Sequence, residues 1–131
     1  MHKTIQPAGW PRPKGYANGV LAEGKLLFVA GQVGWNAREE FESDDFVRQT
    51  EQALQNIVAV LTEAGARPEH IARMTWYVTD KAEYLDRLPE IGAVYARVIG
   101  KVYPAMSLVQ VAGLVEVGAK LEIEATAVIP G

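Results

Sequence analysis

Leu26, Leu27, Phe28, Val29 and Ala30 form an unbroken apolar run, and Met106 to Ala112 carries apolar residues in both alternations of a strand. Successive side chains of a strand point to opposite faces, so these two segments need cover on both sides of their sheet. Only two stretches have helical periodicity. Phe46, Thr50, Ala53, Leu54, Ile57 and Leu61 recur at helical spacing, and so do Tyr84, Leu88, Ile91, Tyr95 and Val98. Two helices of that length cover one face of a sheet. The other face is then an exposed apolar surface, which predicts a closed symmetric homo-oligomer that buries those faces against one another.

The remaining elements follow from the breakers. The Pro/Gly-rich stretch Pro7 to Gly19 reads as a loop, and "VLAEGKLLFVAGQVG" as two strands joined in a hairpin at Glu23-Gly24. Ser43, with Asp44 and Asp45, offers an N-cap and an acidic first turn for the first helix, which Gly65 and Pro68 end. Ile71 to Thr79, rich in β-branched and aromatic residues, is a strand. Thr79 or Asp80 caps the second helix, where Pro89 predicts a kink or a break. Tyr103 to Gly113 and Ala119 to Ile129 are the last two strands. The order is ββαβαββ with a short extra strand around Lys3 to Gln6, in a single domain spanning 1–131.

Composition removes several chemistries. The chain has no cysteine, so a thiol nucleophile, a disulfide framework and Cys-based metal sites are excluded. The net charge is -3 and the 13 Lys and Arg are scattered, so no basic stripe marks a nucleic-acid surface. No leader-like or membrane-length apolar segment is present, which makes the cytoplasm the expected compartment and leaves no membrane partner. His2, in a terminus expected to fray, and His70, in a polar turn, read as solvated surface residues, and no metal site is expected. Neither Ser43 nor Ser107 lies in a nucleophile elbow, and "GQVG" is not a phosphate-binding loop.

Two features carry chemistry. Glu122 and Glu124 are two residues apart on a strand and so share a face, opposite Leu121, Ile123 and Ala125. If an oligomer covers that face, a carboxylate there is suited to general acid/base work, or it pairs with a neighbour's Lys or Arg at a rim. Tyr16, between Gly15 and the Asn18-Gly19 pair, is either a plug over the sheet edge or a ligand-contacting phenol.

Taken together, "PKGYANGV", "LLFVAGQVG", "YVTD", "YPA" and "LEIEATAV" resemble the reactive-intermediate deaminase (Rid, YjgF) family over nearly the whole chain. The resemblance implies an α+β fold similar to that of a small trimeric chorismate mutase. One mixed β-sheet of about six strands would be covered on one face by two helices, with three clefts between the subunits of a homotrimer. It also implies hydrolysis there of enamines and imines, such as 2-aminoacrylate, to keto acids and ammonia, with no metal or bound cofactor. By this resemblance Glu122 handles the attacking water and Tyr16 closes the site. Backbone N–H groups near Gly31 and Leu108 are further contacts.

Three positions depart from the family pattern. The arginine of its "PAR" sequence, which grips the substrate carboxylate, falls on Met106. Its "SGQ" serine falls on Ala30, and an asparagine of the second helix falls on Gly92. Methionine offers a flexible thioether where arginine offers a fixed charge and a planar donor fork. Losing such a clamp costs on the order of a few kcal/mol of binding. The expected cleft is therefore apolar, and its small-molecule substrate is not 2-aminoacrylate. The alternative is a non-catalytic trimer that binds a small metabolite or a protein. Members of the family have also been described as ribonucleases or translation inhibitors, which the acidic balance and the missing histidine pair disfavour.

Overall fold

The computed structural model describes residues 2–131. Lys3–Ile5 (β1), Gly19–Leu21 (β2) and Lys25–Val33 (β3) are followed by helix α1, Phe46–Glu63. Then come a single 3-10 turn at Pro68–His70, strand β4 (Ile71–Val78), helices α2 (Lys81–Asp86) and α3 (Leu88–Val98), and strands β5 (Ala105–Gln110) and β6 (Leu121–Ile129). Four strands form a mixed sheet in the order β3-β6-β4-β5, in which β6 is antiparallel to both neighbours and β4 runs parallel to β5. The long crossover that a parallel pair requires is supplied by α2 and α3.

The expected hairpin at Glu23-Gly24 does not form. β2 pairs antiparallel with β1 as a separate two-stranded sheet, and β3 pairs with β6 instead. The chain bends at Gly24, whose φ is 149°, and passes there from the two-stranded sheet to the four-stranded one. The six strands therefore divide as four plus two.

Local sequence explains where the helices begin and end. Asp45, not Ser43, caps α1: its Oδ2 accepts from the Arg48 N–H at 3.0 Å, while Ser43 Oγ accepts from the Asp45 N–H at 2.9 Å. The acidic residues thus precede the first turn rather than fill it. At the other end Gly65 takes a φ of 76°, and the Ala66 N–H returns to the Leu61 carbonyl at 2.8 Å. Asp80 caps α2 through Ala82 and Glu83. The helical stripe does break before Pro89, which sits in the first turn of α3 where its missing N–H costs nothing. Arg87, at the break, pairs with Asp45 at 3.1 Å and with Glu90 at 2.7 Å, tying the junction to the start of α1.

The core lies between the helices and one face of the four-stranded sheet. Leu54, Ile57, Leu61, Ile71, Met74, Val78, Leu121 and Ile123 are all buried there. Within it Gln49 is buried but satisfied. Its Nε2 donates to the Ser43 and Gly118 carbonyls at 3.0 and 2.9 Å, and its Oε1 accepts from the Lys120 N–H at 2.9 Å. The opposite face keeps large apolar side chains in the open, with Leu26 61% and Phe28 73% exposed. Among the described residues no helix is long and apolar enough to cross a membrane.

The histidines correct their sequence reading. His70 is only 8% exposed, and its Nδ1 accepts from the Arg67 N–H at 3.0 Å. His2 has a partner in the fold: its Nε2 donates to the His70 carbonyl at 2.8 Å.

Helix α1 packs so closely on the end of β3 that a Cβ at Gly34 would lie 2.6 Å from both Cα and Cβ of Gln49. Backbone on both sides leaves nothing free to yield. Gly34→Ala should therefore destabilise the fold by about 1–3 kcal/mol. Gly113→Ala, where a Cβ meets nothing within 4 Å, should stay within about 0.5 kcal/mol of the parent. Denaturant midpoints of the two variants check this.

Candidate functional site

A cavity of about 360 Å³ opens between the edge strand β5 and the α2–α3 pair. Cross-strand register shows why it forms there. Met106 stands opposite Met74 and Leu108 opposite Trp76, so both β5 side chains point to the helix-covered face. Tyr84 of α2 and Leu88, Ile91, Gly92 and Tyr95 of α3 close the far wall, and Tyr103, Lys14 and Gly15 form the mouth. A Cβ at Gly92 would meet nothing within 4 Å, so that position leaves the wall open. Tyr103 stacks on Tyr95 with centroids 6.0 Å apart and planes at 16°. Burial raises the phenol pKa of Tyr84, and burial followed by the nearby Tyr103 raises that of Tyr95. Both side chains therefore remain neutral hydrogen-bonding phenols across the physiological range.

The second cluster occupies the open face of the same sheet. Tyr77 stands opposite Glu122 and Thr75 opposite Glu124, so both carboxylates project away from the helices, as their alternation with Leu121, Ile123 and Ala125 requires. The two differ in their partners. Glu124 Oε1 accepts from the Tyr77 hydroxyl, whereas Glu122 makes no hydrogen bond or ion pair among the described residues. Instead the Glu122 carboxylate lies directly over Gly31, where any Cβ would overlap it. The approach is possible because β3 bulges between Val29 and Gln32, which shifts its register against β6. Ala30 and Gly31 are the residues inside that bulge.

The sequence-derived candidates are thus divided within one chain. Met106, Leu108 and Gly92 line the cavity, Ala30, Gly31 and Glu122 lie on the opposite face, and the sheet stands between them. Tyr16 is 41% exposed beside the mouth, in a loop pinned to the start of β5 by the Ala17 N–H donating to the Pro104 carbonyl at 3.0 Å. Sequence reasoning missed Trp76, Tyr103 and Lys14 as cavity residues. Tyr84 and Tyr95 had a signal, since both lie on the helical stripe, but that stripe reads equally well as core. Among the described residues no group of three or more His, Asp or Glu side chains is placed to hold a metal ion.

Tyr77 has a raised phenol pKa, first because it donates to Glu124, then through burial and the charges of Glu124 and Glu122, with Arg73 opposing. A raised value means that the folded state retains the proton. The stability from this pairing is therefore present below the ordinary tyrosine value near about 10 and is lost as the pH rises through the raised one. Removing the charge while keeping an acceptor, in Glu124→Gln, should let one phenol ionise at lower pH, measured as tyrosinate absorbance in an alkaline titration. An unchanged curve would contradict the pairing.

Comparison with known proteins places this geometry. Residues 11–129 match the family model described as Endoribonuclease L-PSP. The chain is 35% identical to protein DfrA of Myxococcus xanthus over 129 residues, covering 96% of this chain and 95% of that one. It is 31% identical to the 2-iminobutanoate/2-iminopropanoate deaminase of Salmonella typhimurium over 132 residues, covering 98% of each. The crystal structure of YyfB from Yersinia pestis, a protein of unknown function in the conserved Rid family, superposes with a TM-score of 0.84 at 33% identity, again over 98% of each chain. The fold, the matched length and these relatives together make the chain a member of the endoribonuclease L-PSP family, the Rid/YjgF family that its motifs resemble.

Proposed function

We propose that the protein hydrolyses an imine or enamine of a small metabolite in a cleft between subunits, with Glu122 positioning and deprotonating the attacking water. The observation that carries this reading is the unpartnered Glu122 carboxylate held over Gly31, beside a second carboxylate already engaged by Tyr77. Water adds to the carbon of the protonated imine as Glu122 takes its proton, giving a neutral carbinolamine. Glu122 returns that proton to nitrogen, and ammonia leaves as the carbinolamine hydroxyl gives its own proton to Glu122, which forms the carbonyl product. An enamine enters the same path after protonation at carbon. Imine hydrolysis needs little beyond an oriented water, so a site with few polar groups suffices. The relative named as an iminobutanoate and iminopropanoate deaminase supports this chemistry.

Oligomerisation belongs to the same proposal. Glu122 and Met106 lie on opposite faces of one sheet, so a cleft that uses both needs the carboxylate of one copy and the cavity of another. Leu26 and Phe28, exposed beside the Glu122 face, are the surface for that contact. Phe28→Glu should shift the assembly toward monomer in size-exclusion chromatography with light scattering, and should remove activity with it. A monomeric parent protein at micromolar concentration would overturn the shared cleft.

Ammonia or keto-acid release from imines generated by an amino-acid oxidase tests the reaction. The parent protein should exceed the spontaneous rate, and Glu122→Ala should lose about 10²–10⁴-fold of the enhancement. Ligands that raise Tm without any turnover would favour a binding module instead. Met106→Arg, which restores the carboxylate clamp, should gain activity on 2-aminoacrylate. An unchanged rate in an intact oligomer would show that Ala30, Gly92 or the cavity's shape governs the preference.

A further inference from the structure

We infer that the site takes 2-imino acids with an aromatic side chain, and that Lys14 of the N-terminal loop supplies the cation that reads their carboxylate. The inference rests on the deaminase reading above and adds the substrate class and a specificity residue that no resemblance assigns. Four aromatic side chains, Trp76, Tyr84, Tyr95 and Tyr103, surround the cavity together with Met106 and Leu108, while Gly92 leaves its helix wall open. A volume of about 360 Å³ is far more than a two- or three-carbon imino acid fills. Aromatic rings are the groups that such walls hold best, through offset and edge contacts in addition to buried area.

The wall contains one charged residue, Lys14. It is exposed at the mouth and is in no ion pair among the described residues. Gly15, with a φ of 78°, turns the loop there, and the bond from Ala17 to Pro104 fixes the loop against β5. A cation at the rim of an aromatic cavity selects a ligand with an anionic head and an aromatic body. The wall also includes Trp76, 4% exposed, whose indole is held in the core and presents apolar ring surface to the cavity. Lysine thus provides from a different element the charge that Met106 does not, as a point charge without the planar fork of arginine.

Stable keto-acid products test binding apart from turnover. By titration calorimetry on the intact oligomer, phenylpyruvate should bind at least about tenfold more tightly than pyruvate, the margin expected from burying a phenyl group. Lys14→Ala should weaken phenylpyruvate by about fivefold, the scale of a half-exposed ion pair, and Lys14→Arg should restore it. Phenylacetone, which lacks the carboxylate, should bind equally to the parent and to Lys14→Ala. Equal affinity for phenylpyruvate in the parent and Lys14→Ala, equal binding of pyruvate, or no binding of phenylpyruvate would each overturn the inference. Lys14-dependent binding with no turnover of the aromatic imine would leave it standing and remove the deaminase reading. Turnover of imines with no aromatic preference and no effect of Lys14→Ala would do the reverse.

Discussion

Strand β6 holds the molecule in register. It is paired on both edges, and its inward set, Leu121, Ile123, Ala125 and Ala127, is buried against the helices. A slip of one residue would expose that set and drive Glu122 and Glu124 into the core, so hydrophobic burial alone fixes which way the carboxylates face. The bulge in β3 depends on this register too, because Gly31 can lie beneath Glu122 only if Ile123 stays opposite Gln32. Packing and chemistry are therefore set by one alternation.

That alternation was legible in the sequence, and so was most of the fold. Helix α1 and the break ahead of Pro89 follow from periodicity and from the geometry of proline, which act locally. What failed was decided by distant partners. Gly19–Leu21 looked like half of a hairpin because it precedes a turn, yet its partner is Lys3–Ile5, and nothing in the intervening loop announces that choice. His70 looked solvated because its neighbours are polar, but its ring turns inward to accept from Arg67. Sequence marks the polarity of a segment more clearly than the direction in which one ring points.

The candidate site was legible only in part. Glu122 and Gly31, joined as site candidates by the family resemblance, come together in the structure, and Glu124 proves to be the carboxylate already bonded. The cavity could not be read in advance, since its walls come from two helices, two strands and two loops far apart in the chain, and the helix and strand residues among them pass for ordinary core. Met106 is part of that wall, a flexible thioether among the aromatic side chains of the cavity.

The sheet also works as a partition. Glu122 and Gly31 lie on one side, and positions 92, 106 and 108 on the other, with no shared contact. Within one chain a wall side chain can therefore be changed while the carboxylate keeps its place over Gly31, because the two stability effects share no partner and should nearly add. The two faces of the sheet can thus be altered separately: the cavity's size and polarity depend on side chains that leave the register of Glu122 untouched.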